Sequence, residues 1–249
     1  MRFDVFTLFP GMFVSPFGDS IVRRAIDGGL IELQAHNVRD WAEGKHKITD
    51  DYAFGGGGGM VMKPDPIFAA VEAVLGAPAG TSELPRPRHP GPVILLSAAG
   101  RPFDHRVARE LSRHPRVALI CGHYEGVDER VREHLCDDEI SIGDFVLTGG
   151  EIAAQALLDA IVRLIPGVLG NAASTEEESF SDGLLEHPQF TRPQLWEGRE
   201  IPSVLTGGNH AEVTKWRRAE AEKLTEARRA DLWAAHQARM AAKPPGRGR

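Results

Sequence analysis

Short apolar runs and helix-period segments alternate along the chain as far as residue 165. RFDVFTLF (2–9) is almost continuously apolar and closes at Pro10, which predicts a buried strand. SIVRRAIDGG (20–29) has helical spacing, with Ile21, Ala25 and Ile26 inward and Gly28–Gly29 as the stop. LIELQAHNV (30–38) alternates as a second strand. DPIFAAVEAVLG (65–76) predicts a helix with Asp65 as N-cap and Pro66 at its first position. After a proline-rich surface loop at 77–92 come the strands VILLS (93–97) and RVALICG (116–122), with the helix DHRVARELSRH (104–114) between them. The helix VDERVREHL (127–135) follows, then a strand entering a glycine turn at 138–151, then the helix EIAAQALLDAIVRLI (151–165), stopped by Pro166–Gly167. Strands that are apolar on both faces and alternate with helices predict an α/β domain with a parallel sheet and flanking helices.

Past Gly170 the pattern changes. Residues 171–208 are acidic, contain Pro and Gly, and have no period. Residues 209–240 are strongly helical, and Asn209 with Glu212 matches the capping-box spacing. The predicted plan is a domain at 1–169, a flexible linker at 170–186 and a basic helical domain at 187–249 with a disordered tail.

Charge sharpens this division. The net charge is −6, but residues 209–249 carry ten basic and five acidic side chains, and residues 1–208 carry nineteen and thirty. A +5 segment on a −11 body is either an electrostatic handle for nucleic acid or a solvated helix surface. No run reaches the roughly 18 apolar residues of a membrane span, and no leader pattern is seen at the N-terminus. Two cysteines, Cys121 and Cys136, make no disulfide framework and suggest a reducing, cytoplasmic setting.

Candidate chemistry lies in three turns that follow strands: LLSAAG (95–100), LICGHYEG (119–126) and SIGDFVLTGGE (141–151). Ligands bind beyond the carboxyl ends of strands in open parallel sheets, and small residues let backbone groups meet an adenosine-like ligand. A phosphate-binding loop, a dinucleotide fingerprint, a nucleophile elbow and a metal-ligand spacing are all missing. The five consecutive glycines Gly55–Gly59 are either a slack linker or a backbone that approaches a ligand closely.

Taken in order, TLFPGMF (7–13), DDYAFGGGGGM (50–60), CGHYEGVDERV (121–131), SIGDFVLTGGE with RLIPGVLGN, SFSDGLLEHPQFTRP (179–193) and GGNHAEVTKWRR (207–218) resemble the bacterial tRNA (guanine-N1)-methyltransferases that act at tRNA position 37. The resemblance spans nearly the whole chain. It implies the SPOUT fold, an α/β domain with a deep trefoil knot followed by a small helical domain. It implies a homodimer with an active site shared between subunits, and S-adenosylmethionine bound in the knot. Carried over, Leu96, Ser97, Gly122, Tyr124, Glu125, Val127, Ile142, Gly143, Asp144, Phe145, Val146, Leu147, Gly149 and Gly150 line the cofactor site. These fall in the three turns already singled out.

The family's catalytic arginine maps onto Arg163. Its aspartate maps onto Glu178, where this chain departs from the pattern by one methylene, with Glu177 and Asp182 as substitutes. Guanine N1 carries a proton, so a general base is needed, and a cation near O6 offsets the charge that spreads there. The resemblance also implies that Gly59 lies in a loop near the target nucleotide and that Lys215, Arg217 and Arg218 meet RNA phosphates. It suggests that Mg²⁺ assists, although no metal ligand is assigned. The alternatives are a knotted methyltransferase acting on another RNA base, a non-catalytic RNA-binding protein, and an enzyme of small nucleotides.

Overall fold

The computed structural model describes residues 1–76, 91–170 and 178–242. The expectations for the loop at 77–90, for Glu177 and for the tail at 243–249 lie outside the described residues. The chain divides into two compact units, Met1–Gly170 and Asn171–Arg249.

The first unit is built on β1 (Arg2–Thr7), β2 (Glu32–Asn37), β5 (Val93–Pro102), β6 (Arg116–Cys121) and β7 (Asp138–Ser141). They form one sheet in the order β2-β1-β6-β5-β7, and every pairing is parallel. The period-2 geometry of a strand explains the continuous apolar runs. Phe3 and Val5 of β1, Ile94 and Leu96 of β5, and Val117, Leu119 and Cys121 of β6 face one layer of core. Phe6, Val93, Leu95, Ala118 and Ile120 face the other. The first layer packs against α1 (Ser20–Asp27), α3 (His105–Leu111) and α5 (Glu151–Val162), the second against α2 (Pro64–Leu75) and α4 (Glu129–Leu135). Each large side chain so buried contributes about 1.5–3 kcal/mol relative to exposure.

Local details differ from the sequence reading. The cap of α2 is Lys63, with Pro64 at its first position. Proline's fixed φ and missing N–H suit the first helical position, so the helix starts one proline earlier than expected. On α1 the buried residues are Val22 and Ala25. Two strands escaped the sequence pattern, β3 (Asp50–Tyr52) and β4 (Met60–Met62), which pair antiparallel and bracket the glycine run.

Asp4 sits inside β1 with no solvent exposure. Its carboxylate meets Arg2 at 3.0 Å, Arg116 at 2.7 Å and Nε2 of His36 at 2.8 Å. Burial works to raise its pKa, and hydrogen bonds from His36, Arg2 and Arg116 outweigh burial and hold the carboxyl well below the usual range.

The second unit holds the hairpin β8 (Leu195–Trp196) and β9 (Arg199–Glu200), then α6 (His210–Arg228) and α7 (Ala230–Ala242). The Asn209 side chain accepts the N–H groups of Ala211 and Glu212, which satisfies two orphan donors of α6. The helical run breaks at Arg229, whose φ of −136° and ψ of 74° are not helical. Residues 178–186, read from sequence as part of a linker, pack on α6. Leu184 is buried, and Leu185 N–H donates to Thr225 Oγ1 at 2.9 Å.

Candidate active site

A cavity of about 490 Å³ opens at the carboxyl ends of β5, β6 and β7. Its walls are the three turns expected from the sequence. Leu96 and Ser97 come from β5, and Gly122, Tyr124, Glu125 and Val127 follow β6. Ile142, Gly143, Phe145, Val146, Leu147, Gly149 and Gly150 follow β7. Asp144 is the exception: it is exposed and not among the lining residues. Its neighbour Gly143 has φ +150°, and the Phe145 ring lies where a Gly143 side chain would go. The turn thus directs Phe145 toward the cavity.

The turns are locked to one another. Gly150 N–H donates to the Gly122 carbonyl at 2.8 Å. A Cβ on Gly150 would come within 2.8 Å of the Cys121 Cα, so glycine is required for the approach. Tyr124 holds φ +60°, an uncommon value for a non-glycine residue and one often found at functional turns.

The glycine run is the tip of the β3–β4 hairpin, and β4 is stitched to the turn after β6. Glu125 N–H donates to Met60 O at 3.0 Å, Met62 N–H to Gly126 O at 2.9 Å, and Asp128 N–H to Met62 O at 3.0 Å. Positive φ at Gly55, Gly56, Gly57 and Gly59 explains the composition. Gly59 differs from its neighbours because a Cβ there would fall 2.3 Å from Glu125 Oε1 and 2.5 Å from its Cγ. The missing side chain at Gly59 leaves room for the carboxylate of Glu125, a residue of the cavity wall.

His123 was missed. It lines the cavity between Phe9, at 4.8 Å between ring centroids, and Tyr124, at 4.9 Å. Its buried Nδ1 lies 3.9 Å from Glu151 Oε2, and the buried Glu151 accepts the Thr7 hydroxyl at 2.7 Å. The sequence reading singled out the turn at 119–126 without assigning His123 a role in it.

The described residues of the chain hold no group of three or more His, Cys, Asp or Glu placed to bind a metal ion. Burial pushes the Cys121 thiol well up and the Cys136 thiol to about 12, so neither is poised as a nucleophile.

Arg163 caps the end of α5 in the first unit and is half-buried. Glu178 is half-buried at the start of the described second unit. Lys215 and Arg217 are exposed on α6. Arg218 is engaged: its guanidinium reaches Asp182 at 2.5 Å and Glu222 at 2.6 Å.

The family described as tRNA (Guanine-1)-methyltransferase TrmD matches residues 1–235. The chain belongs to the tRNA (guanine-N1)-methyltransferase family. A relative named tRNA (guanine-N(1)-)-methyltransferase from Dehalococcoides mccartyi (strain BAV1) is 56% identical over 233 residues, covering 94% of this chain and 90% of the relative. Relatives of the same name come from Geobacter sp. (strain M21), 55% identical over 93% of this chain and 89% of the relative, and from Geobacter sulfurreducens, 51% identical over 93% and 91%. Membership in the methyltransferase family gives the cavity a meaning that its shape alone does not carry.

Proposed function

We propose that this chain methylates N1 of guanosine at position 37 of tRNA, using S-adenosylmethionine. The observation that carries the reading is the cavity formed by three interlocked turns at the strand ends, in a chain of this family. The residues fit the cofactor: apolar walls from Leu96, Ile142 and Leu147 suit an adenine ring, the Glu125 and Glu129 carboxylates suit a ribose diol or a cationic centre, and the glycines admit backbone contacts. When bound, S-adenosylmethionine supplies an electrophilic methyl on a sulfonium.

The chain's own residues handle the proton and the charge. Glu178 accepts the N1 proton of guanine as the bond from N1 to the methyl carbon forms and the carbon–sulfur bond breaks. Arg163 offsets the negative charge that spreads to O6. Exposed Lys215 and Arg217 contact RNA phosphates, which gives salt-dependent affinity without sequence information.

The trefoil knot belongs to the same reading. The register between β5 and β7 jumps between Leu96 and Arg101, and a Cβ on Gly100 would lie 2.5 Å from the Ile140 backbone. Both describe the pairing of two neighbouring strands, and the knot itself comes to this reading from the family resemblance.

A homodimer is supported by apolar side chains left exposed on the first unit: Phe9, Met12, Phe145, Val146, Leu147 and Ile152. Gln155 of α5 donates to the Met12 carbonyl at 2.8 Å, which ties two of these segments together. Apolar side chains that gather into one patch suit an association site.

The test uses tRNA transcripts with G or A at position 37 and labelled cofactor. Transfer to the G transcript alone is expected. Equal transfer to both would move the target elsewhere, and no transfer with the cofactor bound would favour a binding protein.

A further inference from the structure

The turn that carries Glu178 is built on the helices of the second unit. The Glu178 carbonyl accepts the Ser181 N–H at 3.2 Å and the Ser181 hydroxyl at 2.7 Å. Phe180 N–H closes the turn on the Leu184 carbonyl at 2.7 Å, and Leu184 is buried. Thr225 of α6 is buried and accepts Leu185 N–H. The guanidinium of Arg239 on α7 lies over Gly183, where a Cβ would fall 2.5 Å from Nη1.

Arg218 completes this attachment. Its Nη1 donates to Asp182 Oδ2 at 2.5 Å, its Nε donates to Glu222 Oε1 at 2.6 Å, and its Nη2 lies 3.4 Å from His236 Nε2. One guanidinium therefore joins the 178–184 turn to α6 and α7. Asp182 also accepts Leu184 N–H at 3.1 Å, so the residue Arg218 holds is itself part of the turn's backbone geometry. Arg218 has acidic partners on two sides, and both hold it toward the turn and along α6.

We propose that Arg218 is a positioning residue: it latches the Glu178 turn to the helix that bears Lys215 and Arg217, so that the element gripping RNA also places the carboxylate. The inference rests on the reading of Glu178 as the base. It replaces the expectation that Arg218 binds phosphate.

The test separates binding from turnover. With the full-length protein, tRNA affinity is measured across a salt series, and single-turnover methyl transfer is measured at saturating tRNA. Arg218→Ala should leave the salt slope unchanged and lower the saturating rate by about 10- to 100-fold, the scale of a misplacement near 1 Å. Lys215→Ala should lower the slope by about one, as loss of a phosphate contact does. Asp182→Asn should slow transfer too, and the double variant should lose no more than Arg218→Ala alone, because both break one interaction. Asp182 is exposed, so this variant tests the latch even if Arg218→Ala unfolds.

A flattened salt slope with a normal saturating rate in Arg218→Ala would overturn the latch and restore the phosphate role. Glu178→Gln is the parallel control. Full turnover in that variant overturns the base assignment and the latch with it. An inactive Glu178→Gln beside a normal saturating rate in Arg218→Ala overturns the latch alone.

Discussion

Gly56 and Gly59 provide a matched pair of perturbations within one loop. Their φ values are +82° and +86°, so alanine at either position meets the same backbone cost, about 1–2 kcal/mol for a left-handed L-residue. Nothing lies within 4 Å of a Cβ on Gly56. A Cβ on Gly59 would sit 2.3 Å from Glu125 Oε1 and 2.5 Å from its Cγ. Carbon atoms rest at ~3.5–4.0 Å, so Glu125 must withdraw by roughly 1 Å. Glu125 lines the cavity, and its N–H is already fixed to Met60 O. Its side chain, not its backbone, must give way.

The expected result by calorimetric titration is a loss of cofactor affinity of about ten-fold for Gly59→Ala, or ~1.4 kcal/mol. Gly56→Ala should stay within about two-fold, as surface substitutions usually do. Thermal unfolding should show a similar small loss in both. Equal cofactor affinity in the two variants would refute the seating role of Gly59 and return it to the RNA side of the loop.

Removing the Asp4 carboxylate leaves Arg2 and Arg116 without their shared partner, so Asp4→Ala should cost about 3–5 kcal/mol in urea unfolding. Because its folded pKa lies below the unfolded value, the stability it contributes is fully present above about pH 4 and is lost as the pH falls further. The stability gap between wild type and Asp4→Asn should therefore narrow in acid, and a gap that widens would refute the assignment. Cys121 is fully buried with its thiol pKa raised, so a thiol reagent at neutral pH should label it only on unfolding. Leu119, buried within β6, should cost about 2–5 kcal/mol on replacement by Ala and leave cofactor affinity per folded molecule unchanged.

The sheet was legible because its strands are covered on both faces, and double coverage writes a continuous apolar run. The turns that line the cavity were legible because close approach of backbone demands small residues after a strand, as at Gly149–Gly150. What escaped depends on partners far apart in sequence. Arg218 reads as one more cation on a basic helix until Asp182, 36 positions away, is seen beside it. Asp4 reads as a blemish in an apolar run until Arg116, 112 positions away, supplies its counter-charge. The β3–β4 hairpin was hidden because DDY and MVM are too short to show a period, so the residues alone left the glycines between them open as a slack linker or a ligand-facing loop. Asp144 shows the converse: motif membership placed it in the site, and in the structure it is exposed beside the cavity-lining residues Gly143 and Phe145.

The atom that receives the methyl group distinguishes this activity from every alternative. Transcript tRNA with G at position 37 would be methylated with labelled S-adenosylmethionine, digested to nucleosides and resolved by chromatography with mass detection. All label in 1-methylguanosine is the predicted result. Label in an adenosine, or in a guanosine methylated at another nitrogen, would contradict the account.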